Sequence, residues 1–181
     1  IFLLAEANGN VGQIKEYFGN GDECQLVFNF HVMTAMFLAL KREDGAVINE
    51  VSNKTSGIPA NCQWVNFLRN HDSLTLEHVS EDVRKELLSY YDKDASRSFD
   101  GKMGISKRLA DLMNDDKEKI LKAFQFLFGE SGSHVIYYGD EIGMRNLETT
   151  GELLDTREYV RGDFDWPEAE RQLSDPNSLL V

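Results

Sequence analysis

Phe67-Leu68-Arg69-Asn70-His71-Asp72 closes an apolar run with a histidine–aspartate pair. Upstream, Cys62-Gln63-Trp64-Val65-Asn66-Phe67-Leu68 reads as a buried strand. Polar residues at the end of such a strand are costly to hold there unless they act on something. Taken alone, Asn70 and Asp72 are most simply explained as acceptors for turn amides. The rest of the chain changes that weighting.

Ile1-Phe2-Leu3-Leu4-Ala5-Glu6-Ala7-Asn8 carries a continuous apolar run straight into a carboxylate. Such a run suits a parallel strand covered on both faces, and a glutamate at its C-terminal end would sit where sheet-based active sites form. Asp22-Glu23-Cys24-Gln25-Leu26-Val27-Phe28-Asn29-Phe30 and Val135-Ile136-Tyr137-Tyr138-Gly139-Asp140-Glu141-Ile142-Gly143-Met144 are two further apolar runs ending in polar turns. Taken in order, the four blocks resemble the α-amylase family of glycoside hydrolases, with Asn70-His71-Asp72 matching its Asn-His-Asp block.

Within that family the chain is similar to trehalose synthases and their relatives acting on maltose and sucrose. The likeness is carried by Glu6-Ala7-Asn8, Glu16-Tyr17-Phe18-Gly19, Gly21-Asp22-Glu23, Gln63-Trp64, Phe67 to Asp72 and Leu74-Thr75-Leu76-Glu77. Three stretches depart from it. Gly9-Asn10-Val11 stands where trehalose synthases have Gln-Trp-Pro, and Gly132-Ser133-His134 where they have Gly-Thr-Pro. Val160-Arg161-Gly162-Asp163-Phe164-Asp165-Trp166 only partly matches their Val-Arg-Thr-Pro-Met-Gln-Trp. These departures fall near loops that contact sugar, so they bear on the substrate rather than on the fold.

Composition, read without the family, bounds the answer more loosely. A chain of 181 residues suits one domain with a sizeable core, and 41% hydrophobic with 28% charged residues describes an ordinary globular chain. The formal net charge of −12 argues against nucleic acid or an anionic membrane as partner, since phosphate binding rests on Lys and Arg. Residues 25–40 lack Asp, Glu, Lys and Arg but are interrupted by Gln25, Asn29, His31 and Thr34, and fall short of the ~20 apolar residues a membrane helix needs. No basic leader precedes an apolar segment. Cys24 and Cys62 show no metal-ligand spacing and read as core or reduced thiols, which favours the cytoplasm.

The apolar strands alternate with helical patterns. Met33, Met36, Phe37 and Leu40 share a face of a helix over Val32–Lys41, and Ile120, Phe124, Leu127 and Phe128 do so over Lys117–Phe128. Glu81–Tyr91 is a more polar helix opened by Ser80. This alternation implies an α/β chain of parallel β/α units. The family resemblance sharpens that to the C-terminal half, strands 5 to 8, of a (β/α)8 TIM-type barrel. Residues 1–166 would form the partial catalytic barrel, and 167–181 a loop or truncated end.

The resemblance also assigns roles. Glu6 is the implied acid/base, which gives a proton to the leaving oxygen and later takes one back. Asp72 is the implied third carboxylate, which binds sugar hydroxyls and distorts the ring, with Asn70 and His71 binding the same sugar. Spacing alone would have made Asp72 the nucleophile paired with Glu6; the family pattern overrides this. Arg157 and Arg161 match a loop that guards the sugar entrance, though an exposed surface position suits either as well. Arg69 is a supporting residue, Asp140-Glu141 a structural turn, and His31, His78 and His134 receive no function. The family's nucleophile block, Gly-Phe-Arg-hydrophobic-Asp, does not occur in the chain. The chain by itself is therefore expected to be inactive. No cofactor is implied, and the usual calcium ligands of the family belong to the other half of the barrel. The implied function is retaining hydrolysis or transglycosylation of a small α-glucoside. The alternative is a non-catalytic relative, as in the ancillary transporter subunits that keep the barrel and lose its acids.

Overall fold

The computed structural model describes residues 1–99, 101–148 and 155–180. Strand β1 (Leu4–Ala5) is followed by helix α1 (Val11–Glu16), β2 (Leu26–Phe28), α2 (Phe30–Arg42), α3 (Ala46–Thr55) and β3 (Gln63–Phe67). Then come β4 (Leu74–Thr75), α4 (Glu81–Tyr91), β5 (Ser98–Phe99), β6 (Gly104–Ile105), α5 (Leu109–Met113), α6 (Lys117–Gly129), β7 (Ser133–Val135) and α7 (Trp166–Leu173).

The main sheet has the order β1-β2-β3-β7, and every neighbouring pair is parallel. Strands joined through helices and laid side by side in chain order are the winding that β/α units produce. The register pairs Val27 with Trp64 and Phe67 with Val135, so the C-terminal ends of the strands share one rim. Between β3 and β7 the chain also forms a small antiparallel sheet, β4-β6-β5.

Local chemistry accounts for the helix boundaries. Asn29 caps α2 by accepting the Val32 N–H, and the helix ends at Glu43 in the left-handed conformation, φ 56°. Ser80 caps α4 through the Val83 N–H, with Glu81 and Asp82 in the first turn beside the positive end of the helix dipole. Asp116 caps α6 through the Lys119 N–H. The core lies between β3 and helices α2, α4 and α6. Phe67 meets both Phe28 and Phe30 edge-on at 5.0 and 5.1 Å. A smaller cluster joins Ile14, Phe18, Val27 and Trp64, whose indole N–H donates to the Thr55 carbonyl at 2.9 Å. Gly132 has φ +121°, and a Cβ there would lie 2.5 Å from the Trp64 carbonyl oxygen. Only glycine permits that approach of β7 to β3.

Two expectations are corrected. Residues 167–173, within the stretch read as a loop or truncated end, belong to α7, which starts at Trp166 and is capped by Asp165 with Pro167 in its first turn. The run Ile1–Leu4, read as buried on both faces, is exposed: Phe2 keeps 76% and Leu4 48% of its accessible surface. Of this run only Leu4 enters the ladder, β1 pairs with β2 alone, and no described element covers its other edge. No helix among the described residues is long and apolar enough to cross a membrane. Cys62 is buried, with its thiol 3.7 Å from the Cys24 carbonyl oxygen.

Candidate active site

Because the strands are parallel, the residues just beyond their C-terminal ends gather on one rim. Glu6 follows β1, and Asn70-His71-Asp72 follow β3. Their side chains meet although 64 positions separate Glu6 from Asn70: Asn70 Nδ2 donates to Glu6 Oε1 at 3.4 Å. His71 Nδ1 lies 3.9 Å from the same oxygen. Asn70 Oδ1 meanwhile accepts the Asp72 N–H at 2.9 Å. One end of the Asn70 amide thus satisfies a turn, and the other reaches the carboxylate.

The turn is clamped from below and from the side. Arg69, only 1% exposed, donates Nη2 to the Asp72 carbonyl at 2.6 Å. Arg161 donates Nε to the His71 carbonyl at 2.8 Å. Arg157 reaches the Asp72 side chain, its Nη1 standing 3.4 Å from Oδ1, and its guanidinium lies 5.0 Å from the centre of the Phe99 ring. Asp155 fixes that guanidinium through Nε and Nη2 at 2.9 and 2.6 Å, and the contact holds the Asp155 carboxyl down at about 2. Asp72 Oδ1 also accepts the Ser73 N–H at 3.1 Å. The loop carrying these arginines is tied back by Tyr137 and Tyr138, whose hydroxyls donate to the carbonyls of Val160 and Gly162.

Beneath the turn lies a buried charge cluster. Arg108 and Asp140 are 1% and 2% exposed, with Nη1 and Oδ1 3.5 Å apart. Arg108 also donates to the Tyr138 carbonyl at 2.7 Å. Burial pushes the Asp140 carboxyl up to about 7, against the pull of Arg108 and Arg69. Burial likewise lowers Arg69, to about 10. Asp140 is thus a charge partner to two arginines as well as the opening residue of a turn.

A cleft of about 260 Å³ opens over this rim, lined by Glu6, Asn8, Asp72, Ser73, Glu77 and Phe99. Three carboxylates, an amide and an aromatic face can engage a neutral polyhydroxylated ligand. A larger cavity, about 560 Å³, lies between α3, α6 and β3. Its carboxylate, Glu130, is engaged by the Ser52 hydroxyl at 2.6 Å, and it holds no acid pair. Among the described residues no three His, Cys, Asp or Glu side chains gather as ligands of calcium or another metal would.

Glu6, Asn70, His71 and Asp72 lie on this rim, and Arg157 and Arg161 reach it from the loop beyond β7. Sequence reasoning missed Asn8, Glu77, Phe99 and Asp155. Asn8 and Glu77 stood inside blocks already singled out, whereas Phe99 arrives through a segment with no distinctive pattern. His31 and His78, given no function, prove to be neighbours, with ring centres 4.9 Å apart.

No family model matches the chain. It is 41% identical over 168 residues to the trehalose synthase/amylase of Mycobacterium tuberculosis, a match covering 91% of this chain and 27% of that protein. The chain thus spans about a quarter of the length of that curated relative. Among solved structures it resembles the sucrose 6F-phosphate phosphorylase of Thermoanaerobacter thermosaccharolyticum, with TM-score 0.75, 17% identity, and 99% of this chain and 38% of that chain covered. It also resembles the α-amylase of H. orenii, with TM-score 0.64, 20% identity, and 99% and 34% covered.

Proposed function

As the chain belongs to the α-amylase family and is similar there to trehalose synthases, we propose that the protein bearing it is a retaining enzyme acting on small α-glucosides, with Glu6 as acid/base. The carrying observation is the contact of Asn70 and His71 with Glu6 Oε1, beside Asp72 in the same cleft. On this reading the main sheet is the fifth to eighth strands of the barrel.

The chemistry follows from the groups on the rim. The Glu6 carboxylic acid donates its proton to the glycosidic oxygen as the bond to the anomeric carbon breaks. A second carboxylate, outside these residues, attacks that carbon to form the glycosyl-enzyme. Glu6, now ionised, takes a proton from the incoming hydroxyl, which attacks the anomeric carbon and releases the second carboxylate. Water as acceptor gives hydrolysis, and a sugar hydroxyl gives transfer. Asp72 accepts hydrogen bonds from the sugar, and the Arg157–Asp155 contact fixes its carboxylate. His71 and Asn70 hold Glu6 at the leaving oxygen and donate to the charge that develops there.

Transfer that turns maltose into trehalose is the reading favoured within this class, with an α-glucosidase as the other product outcome. A cytoplasmic enzyme fits the two free thiols. Relatives of the same fold were solved with maltose, maltotriose or acarbose, which supports an oligosaccharide-sized ligand here.

The test is full-length protein incubated with maltose, with products separated. Trehalose with little glucose marks a transferase, and glucose alone a hydrolase. Glu6→Gln is expected to lower turnover on maltose by about 10²–10⁴-fold. Unchanged turnover would sink the assignment of Glu6.

A further inference from the structure

Asn8 stands two residues beyond Glu6, in the segment that leads from β1 to the Asn10 cap of α1. Its side chain is held at both ends. Asn8 Nδ2 donates to Glu77 Oε2 at 2.6 Å, and Asn8 Oδ1 faces His78 Nε2 at hydrogen-bonding contact. The next residue is held as well, since His31 Nε2 lies 3.0 Å from the Gly9 carbonyl oxygen. The two imidazoles pack face against face, 4.9 Å apart and tilted by 37°. One belongs to the first turn of α2 and the other to the segment between β4 and α4, so three separate parts of the chain meet here.

The donor pattern fixes the protons. An amide oxygen and a backbone carbonyl accept only, so His78 Nε2 and His31 Nε2 must each carry the hydrogen. Neutral imidazoles in that tautomer satisfy both contacts at once. Adding a second proton to each would set two cations against one another. Burial holds both imidazoles below their usual value; the neighbouring His78 lowers His31 further, and Glu77 pulls His78 back up. His78 is the ionisable group acting on the His31 ring, and Glu77 the one acting on the His78 ring.

We propose that His31 and His78 are positioning residues, which act through Gly9 and Asn8 to hold the segment carrying Glu6 at the height where its proton reaches the leaving oxygen. The proposal rests on the reading of Glu6 as acid/base.

The experiment compares kcat/KM of full-length protein on maltose and on 4-nitrophenyl α-glucoside, whose leaving group needs no proton. His78→Leu and His31→Leu are each expected to lose about tenfold on maltose and less than about twofold on the activated glucoside. His78→Gln keeps an N–H donor toward Asn8 and is expected to recover most of the loss. That recovery separates positioning from general damage to the fold. Glu6→Gln is run beside them and must show the same preference in stronger form. If it does and the histidine variants lose equally on both donors, the positioning role is overturned and the acid role of Glu6 stands. If Glu6→Gln itself loses equally on both, the acid role falls and this proposal falls with it. Failure of His78→Gln to recover activity while His78→Leu remains donor-selective would also overturn it, since the Asn8 contact would then not be the agent.

Discussion

Arg157 stands between two carboxylates, with Nη1 3.4 Å from Asp72 Oδ1 and Nη2 2.6 Å from Asp155 Oδ2. The shorter contact, doubled through Nε, fixes the guanidinium plane and leaves Nη1 aimed at Asp72. The pair Asp155 and Arg157 thus acts as one arm that reaches the turn from 85 positions further along the chain.

Replacing Arg157 by Leu is expected to cost activity out of proportion to stability. The side chain is about a third exposed, so its ion pair with Asp72 contributes at most ~1 kcal/mol to folding. Losing the orientation of Asp72 is expected to lower kcat/KM on maltose by about tenfold or more. Steady-state kinetics and thermal melting on the same full-length preparation check this. A large drop in melting temperature with intact kinetics would contradict it.

Asp140 makes stability depend on pH in a direction unusual for an aspartate. Its folded-state value, about 7, lies above that of the unfolded chain, so the folded state binds the proton more tightly. The contribution is therefore complete below pH ~4 and is lost as pH rises toward 7, by at most ~1.4 kcal/mol per unit. His31 and His78, whose values are lowered, act oppositely and add stability as pH rises toward ~6.5. The test is the difference between wild type and Asp140→Asn in urea unfolding from pH 4 to 8. The variant is expected to lack the decline, and parallel curves would assign the charge cluster no such role.

Gly132→Ala is expected to destabilise the protein by about 2 kcal/mol or more. The new Cβ would meet the Trp64 carbonyl, a backbone atom locked in β3, while φ stays at +121°. Denaturant unfolding measures the loss. A change within ~0.5 kcal/mol would mean that β7 shifts freely against β3.

Periodicity and punctuation carried much of this architecture. The helix over Glu81–Tyr91 begins and ends where Ser80 and the apolar spacing indicate. The α2 and α6 helices extend the predicted spans by one or two residues at their ends. Alternation of apolar runs with helices implied parallel pairing, because no short turn links consecutive strands of the main sheet. The β4-β6-β5 sheet was not legible: its strands are two residues each, too short for any alternation to register. Helix α7 was hidden by its polar composition, which reads equally as loop. In the site, Glu6 and Asn70-His71-Asp72 were singled out by their resemblance to the family's blocks, since the apolar runs they close are by themselves explained equally well by strand ends and turns. The histidine pair was not, since His31 and His78 lie 47 positions apart on different elements and become neighbours only when α2 packs beside β4.

The position of Glu6 just beyond β1 ties its placement to sheet assembly. That strand contributes two residues to the ladder, pairs on one side only among the described residues, and is preceded by three side chains turned to solvent. On the proposed reading of Glu6 as acid/base, a strand laid along that open edge would fix the lateral position of its carboxyl, and a substitution in that neighbour would be read out in proton transfer.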